Sequence, residues 1–101
     1  TNTVSIDEAK QWLQLLGLEG KWHQKAETLS YGERQRVAII RSLLQPFKWL
    51  LLDEPFSHLD NENSNKAAQL ILSQVEKNKA GMLVVDLEDN DWFPYTRKML
   101  L

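Results

Sequence analysis

The sequence predicts an α/β protein in which two helices precede a strand–helix–strand unit with parallel strands. Three observations carry this. KWLLLD, Lys48 to Asp53, and MLVVD, Met82 to Asp86, are short apolar runs ending in an acid, the pattern of strands buried on both faces of a parallel sheet. Between them, Asn63 to Lys77 repeats apolar residues at helical steps, with Ala67, Ile71 and Val75 in one row and Ala68 and Leu72 beside it. That order of elements implies a right-handed crossover joining two parallel neighbours.

The preceding helices follow from their own patterns. In residues 5 to 16, SIDEAKQWLQLL, apolar Ile6, Ala9, Leu13 and Leu16 recur every three or four positions, with Trp12 beside them. Ser5 and Glu8 have capping-box spacing at its start, and Gly17 ends it. Residues 17 to 29 carry two glycines and mixed polarity, which reads as a loop with at most one short turn. A second helix begins near Ser30 and runs to about Leu44, with Val37, Ile40 and Leu44 on its apolar row and Arg34, Gln35, Arg41 and Gln45 on the other side. Pro46 stops it, because a proline disfavours helical geometry in the residue before it. The tail from Leu87 opens acidic and closes on KMLL, a candidate start of a further strand.

The bulk composition narrows the function classes. The chain has 101 residues, enough for one domain with one modest core. A formal net charge of −2 gives no basic field for nucleic acid or an anionic membrane surface, and no nucleic-acid partner is expected. Without cysteine there is no disulfide, thiolate metal site or cysteine nucleophile. No unbroken apolar run is longer than that of Trp49 to Leu52, far too short to span a bilayer.

Two constellations could carry chemistry. Asp53 and Glu54 sit where the first strand leaves the sheet, and open α/β sheets bind ligands outside the carboxyl ends of their strands. An aspartate there suits Mg²⁺, commonly held through water, and a neighbouring glutamate suits the activation of water. The same residues also read as an acidic turn bent by Pro55. The second constellation is LSYGERQR, Leu29 to Arg36. Ser30 and Glu33 form a capping box, which explains both without any further role. A helix N-terminus nevertheless attracts phosphate, a serine hydroxyl adds a donor, and Gly32 permits close approach. His23 and His58 read as surface residues, and Arg34, Arg36 and Arg41 as a solvated helix face. The acidic run from Glu88 to Asp91 reads as a solvated loop, and the four tryptophans as anchors in the core or on its surface.

Together these stretches resemble a known family. LSYGERQRVAIIRSLL resembles the signature motif and following helix of ATP-binding-cassette (ABC) ATPases, usually written LSGGQ; WLLLDEP resembles their Walker B strand; SHLD, Ser57 to Asp60, resembles their D-loop, usually SALD. The order and spacing of the three also match, and the resemblance covers Ala26 to Asp86. It implies a partial P-loop NTPase fold and a single domain over 1–101. Residues 1–46 would be helical-subdomain segment and signature helix, and 47–101 the Walker B, D-loop and switch part. It further implies that Ser30, Tyr31, Gly32 and Glu33 contact the nucleotide of a partner cassette. Asp53 would support Mg²⁺, Glu54 would act on the attacking water, and Asp60, in the D-loop that begins at Ser57, would couple the two sites.

The expected cofactor is Mg-ATP, bound by a full-length parent. The expected partners are a second cassette and a membrane-spanning transporter subunit, which would hold the chain on the cytoplasmic side of the membrane. Four departures accompany the resemblance. Tyr31 and Glu33 replace the usual glycine and glutamine, and Leu87 aligns with the family's switch histidine. The phosphate loop, G-x-x-x-x-G-K-S/T, does not occur in the 101 residues. The isolated segment is therefore expected to be inactive. Two rival classes stand beside this reading: a cassette-derived interaction module that never meets nucleotide, and an ABC ATPase of DNA repair or translation.

Overall fold

The computed structural model of the chain describes residues 4–21, 23–86 and 92–93. Helix α1 spans Ile6–Leu15, and the Ser5 hydroxyl accepts from the Glu8 N–H at its start. A 3₁₀ turn, Ala26–Thr28, interrupts the loop that follows. Helix α2 spans Tyr31–Leu43 and strand β1 Trp49–Asp53. Helix α3 spans Asn61–Asn78, and strand β2 Gly81–Val85.

The two strands pair in parallel, with Trp49 opposite Gly81, Leu51 opposite Leu83 and Asp53 opposite Val85, so β1, α3 and β2 form the expected βαβ unit. Helix α3 begins two residues earlier than its apolar pattern indicated, because the Asp60 carboxylate accepts from the Asn63 N–H at 2.8 Å and caps the helix. Its other end turns through Lys79 in the left-handed region, φ 52°. Strand β2 starts at Gly81 rather than Met82, and Asp86 lies past its end.

One core joins the helices to one face of the sheet. It contains Trp12, Leu13 and Leu16 from the α1 end, Ile39, Ile40 and Leu43 from α2, Leu50 and Leu52 from β1, and Ala67, Leu70 and Ile71 from α3. Phe93 returns from the tail to stack on Phe56, centroids 5.7 Å apart, with Trp92 edge-on to the same ring. Arg36 ties α2 to the end of α1, donating from Nη1 to the Leu16 carbonyl at 3.1 Å and from Nε to Gly32 O at 3.2 Å. It is thus half-buried and structural, not part of a solvated face.

The expectation that both strands are buried on both faces is corrected. Leu50 and Leu52 point into the core, whereas Trp49 is 68% exposed and Leu51 69% exposed, with Leu83 and Val85 beside them. Among the described residues the helices cover only one face of the sheet, so alternate residues of an unbroken apolar run face solvent. Among the described residues two hollows lie in the helical half. One, about 350 Å³, is lined by Leu29, Val37, Ile40 and Leu44 together with Lys21 and Arg41.

Candidate nucleotide-associated site

The site is built where the start of α2 meets the turn that follows β1. At the α2 end the capping box is complete. The Ser30 hydroxyl accepts from the Glu33 N–H at 3.1 Å, and the Glu33 carboxylate accepts from the Ser30 N–H at 3.0 Å. Glu33 therefore points back along its own helix end and also reaches the Lys21 ammonium at 3.5 Å. The Ser30 N–H bond, assisted by the charge of Lys21, holds the Glu33 carboxyl below its ordinary range. Tyr31 is 71% exposed at the helix start.

At the other end, strand β1 releases an exposed Asp53 and a half-buried Glu54. Glu54 adopts φ +44°, a left-handed conformation that costs a non-glycine residue of order 1 kcal/mol. Its backbone is fixed from both sides: its N–H donates to the Val85 carbonyl of β2, and its carbonyl accepts from the Gln35 amide at 3.0 Å. Pro55 and Phe56 are buried behind it. Such strain persists only where the surroundings hold it, and it is concentrated at functional positions.

The two halves touch through several contacts. The Tyr31 and His58 rings stack with centroids 5.5 Å apart, and the Arg34 guanidinium lies over the Tyr31 ring at 5.4 Å. Gly32 packs against the His58 carbonyl, and Gln35 bonds Glu54, Ser57 and His58. The structure thus brings Ser30, Tyr31, Gly32 and Glu33 to the same end of the molecule as Glu54 and Ser57. Asp60 closes the turn as the α3 cap. Leu87, the acidic run from Glu88 to Asp91, Trp22 and the KMLL tail lie outside the described residues.

Sequence reasoning missed Gln35 and His58 as members of this junction. A polar residue on the outer face of an amphipathic helix reads as solvated, and its partners lie 19 to 23 residues away. For Gly32 the structure supplies a reason besides phosphate access: it makes room for a neighbouring backbone oxygen.

A parallel βαβ unit with acids at the carboxyl end of a strand, packed against a capped helix N-terminus, is the architecture of an α/β cassette segment. Residues 2–57 match the family model described as ABC transporter. The chain belongs to the ABC transporter family of ATP-binding cassettes.

It is similar to an uncharacterized ABC transporter ATP-binding protein, YnjD, of Escherichia coli, 51% identical over 63 residues, 62% of this chain and 29% of that protein. The lipoprotein-releasing system ATP-binding protein LolD of Rickettsia bellii is 40% identical over 81 residues, 80% of this chain and 37% of that one. The phosphonates import ATP-binding protein PhnC of Bordetella parapertussis is 43% identical over 81 residues, 80% of this chain and 32% of that one. Among solved structures, RNase-L Inhibitor superposes with a TM-score of 0.70 at 37% identity, covering 80% of this chain and 16% of that one. The matched segment spans about a third of the length of these curated relatives.

The donor set suits Mg-ATP in part. Asp53 offers an exposed carboxylate oxygen of the kind Mg²⁺ prefers. The exposed start of α2 offers the positive end of a helix to an anion. The lysine and backbone nest of a phosphate loop are not among the 101 residues.

Proposed function

We propose that the chain serves as the signature-to-D-loop segment of the ATP-binding subunit of an ABC transporter, coupling ATP binding and hydrolysis to transport. Residues 1–46 supply helical-subdomain segment and signature helix, and 47–101 the Walker B, D-loop and switch part. Ser30, Tyr31, Gly32 and Glu33 meet the nucleotide held by a second cassette. Asp53 supports Mg²⁺ through water, and Glu54 orients and deprotonates the attacking water. Ser57 and Asp60 link the two sites across the cassette pair. A membrane-spanning subunit is the partner through which the segment works at the cytoplasmic membrane face; no helix among the described residues is long and apolar enough to cross a membrane itself.

The observation that carries this reading is the strained backbone of Glu54, φ +44°, held at a strand end against the signature helix. A plain acidic turn would relax to an ordinary conformation, whereas a glutamate that must aim its carboxylate is kept where the surrounding bonds put it. Phosphoryl transfer depends mainly on such positioning and on charge around the phosphates. Mg-ATP supplies the transferable phosphoryl group and its charge-neutralising metal; the residues here supply orientation and a proton acceptor. The test is ATP turnover by the full-length protein carrying Glu54→Gln, which removes the proton acceptor but keeps size and hydrogen bonding. Turnover should fall by at least about a hundredfold, the lower range for a lost general base. Unchanged turnover would contradict the assignment.

A further inference from the structure

One side chain links the start of α2 to the Glu54 turn, and it belongs to none of the motif positions given a role above. Gln35 lies half-buried in the second turn of α2. Its Nε2 donates to the Glu54 carbonyl at 3.0 Å and to the Ser57 hydroxyl at 3.1 Å, and its Oε1 accepts from the His58 N–H at 2.8 Å. The amide orientation is settled by chemistry. A backbone N–H can only donate, so the oxygen must face His58. The two hydrogens of the nitrogen then face two acceptors, the Glu54 carbonyl and Ser57 Oγ. Three bonds of good length from one amide to three residues of a five-residue turn fix that turn relative to the helix.

The bonded residues are chemically significant. Glu54 holds a conformation that a non-glycine residue leaves when it is free to do so. The Val85 carbonyl restrains its N–H side, and Gln35 restrains its carbonyl side. Ser57 N–H also donates to the Glu54 carbonyl at 3.3 Å, but that bond lies within the turn and moves with it. Gln35 instead ties Glu54 itself to a separate element, α2. The Gly32 contact and the Tyr31–His58 stack hold the far end of the same turn but do not reach Glu54.

We infer that Gln35 is a positioning residue for Glu54: it holds the strand-end backbone in its left-handed conformation and so sets the direction of the carboxylate. This rests on the proposed role of Glu54 only for its catalytic consequence; the positioning itself is a property of the chain. Gln35 touches no reacting atom. It makes the aim of the water-side glutamate depend on where the signature helix sits.

Two variants separate the bonds. Gln35→Glu keeps an acceptor for the His58 N–H and loses both donors. Gln35→Ala loses all three bonds. In isotope-labelled protein, with folding followed by circular dichroism, Gln35→Ala should accelerate His58 amide exchange about tenfold, the effect of losing one net hydrogen bond. Gln35→Glu should leave that exchange near wild type. Both should move the Glu54 carbonyl and side-chain carboxyl carbon resonances. A variant that is merely less stable would lower the melting temperature without moving Glu54 in the folded state. Glu54 resonances unchanged in both folded variants would overturn the inference.

In the full-length protein, Gln35→Ala should lower kcat with KM little changed, because aim is lost and binding is not. A loss confined to KM would also overturn it. Turnover that ignores Glu54→Gln would sink the functional reading of Glu54, while the resonance result would still decide the role of Gln35.

Discussion

Gly32 passes so close to the His58 carbonyl that a Cβ built on it would lie 2.9 Å from the oxygen. The obstacle is backbone, which cannot swing aside as a side-chain tip can. Gly32→Ala would gain up to about 1 kcal/mol of helix propensity, but forcing the turn away from α2 costs roughly 1–3 kcal/mol. Gly32→Ala is therefore expected to be destabilising, by about 1 kcal/mol in denaturant titration, and to disturb the Tyr31–His58 stack. An equal or greater stability would show that the turn yields freely.

The capping box at α2 should give a pH signature. Glu33 is held below its ordinary value of 4.5 by the Ser30 N–H and by Lys21. A carboxyl whose folded value is depressed stabilises the fold above its unfolded value, and that contribution fades as pH falls through the folded one. Stability should thus decline on acidification from about pH 4.5 downward, and Glu33→Gln should flatten that part of the profile. Ser30→Ala should cost about 1 kcal/mol near neutral pH, the usual cost of a lost cap. Thermal melts across pH for wild type and both variants check this. A Glu33→Gln profile that matches wild type would count against it.

Trp49 lies across Gly81, its partner in the strand ladder, so that a Cβ there would fall 2.5 Å from the ring. The ring is exposed and free to tilt outward. Gly81→Ala should change stability by less than about 1 kcal/mol yet shift the Trp49 indole N–H resonance. A resonance left in place would mean that the ring does not cover Gly81 in solution.

Lys79 ends α3 with φ 52° and ψ 44°, a conformation that glycine adopts without the steric cost borne by lysine. Lys79→Gly should stabilise the chain by roughly 0.5–1 kcal/mol, the left-handed strain relieved less the extra freedom of the unfolded glycine. Denaturant midpoints measure it, and a loss of stability would contradict the account.

Much of this architecture was legible in the chain. Ser5 and Ser30 announce their helices by capping chemistry, and both strands were placed to within one residue by their apolar runs. What escaped depends on partners distant in sequence. Trp49 and Leu51 look like core residues in a run of apolar neighbours, and only the packing reveals that one sheet face is open. Asp60, read for a D-loop role, also caps α3 and moves its start to Asn61. The Glu54 conformation has no local cue, because glycine and asparagine are the usual signals of positive φ. The candidate acids were readable from type and spacing; the Gln35 amide that holds one of them was not.

Nucleotide affinity tests the account at its centre. The chain carries Asp53 and Glu54 at a strand end and the signature helix beside them, but no phosphate-loop lysine or nest. Two carboxylates repel a polyphosphate unless Mg²⁺ bridges them. Calorimetric titration of the 101-residue chain with Mg-ATP should therefore give no saturable site tighter than roughly 1 mM, about −4 kcal/mol. A saturable micromolar site would contradict the account, because the residues present would then hold ATP without the cradle they are argued to need.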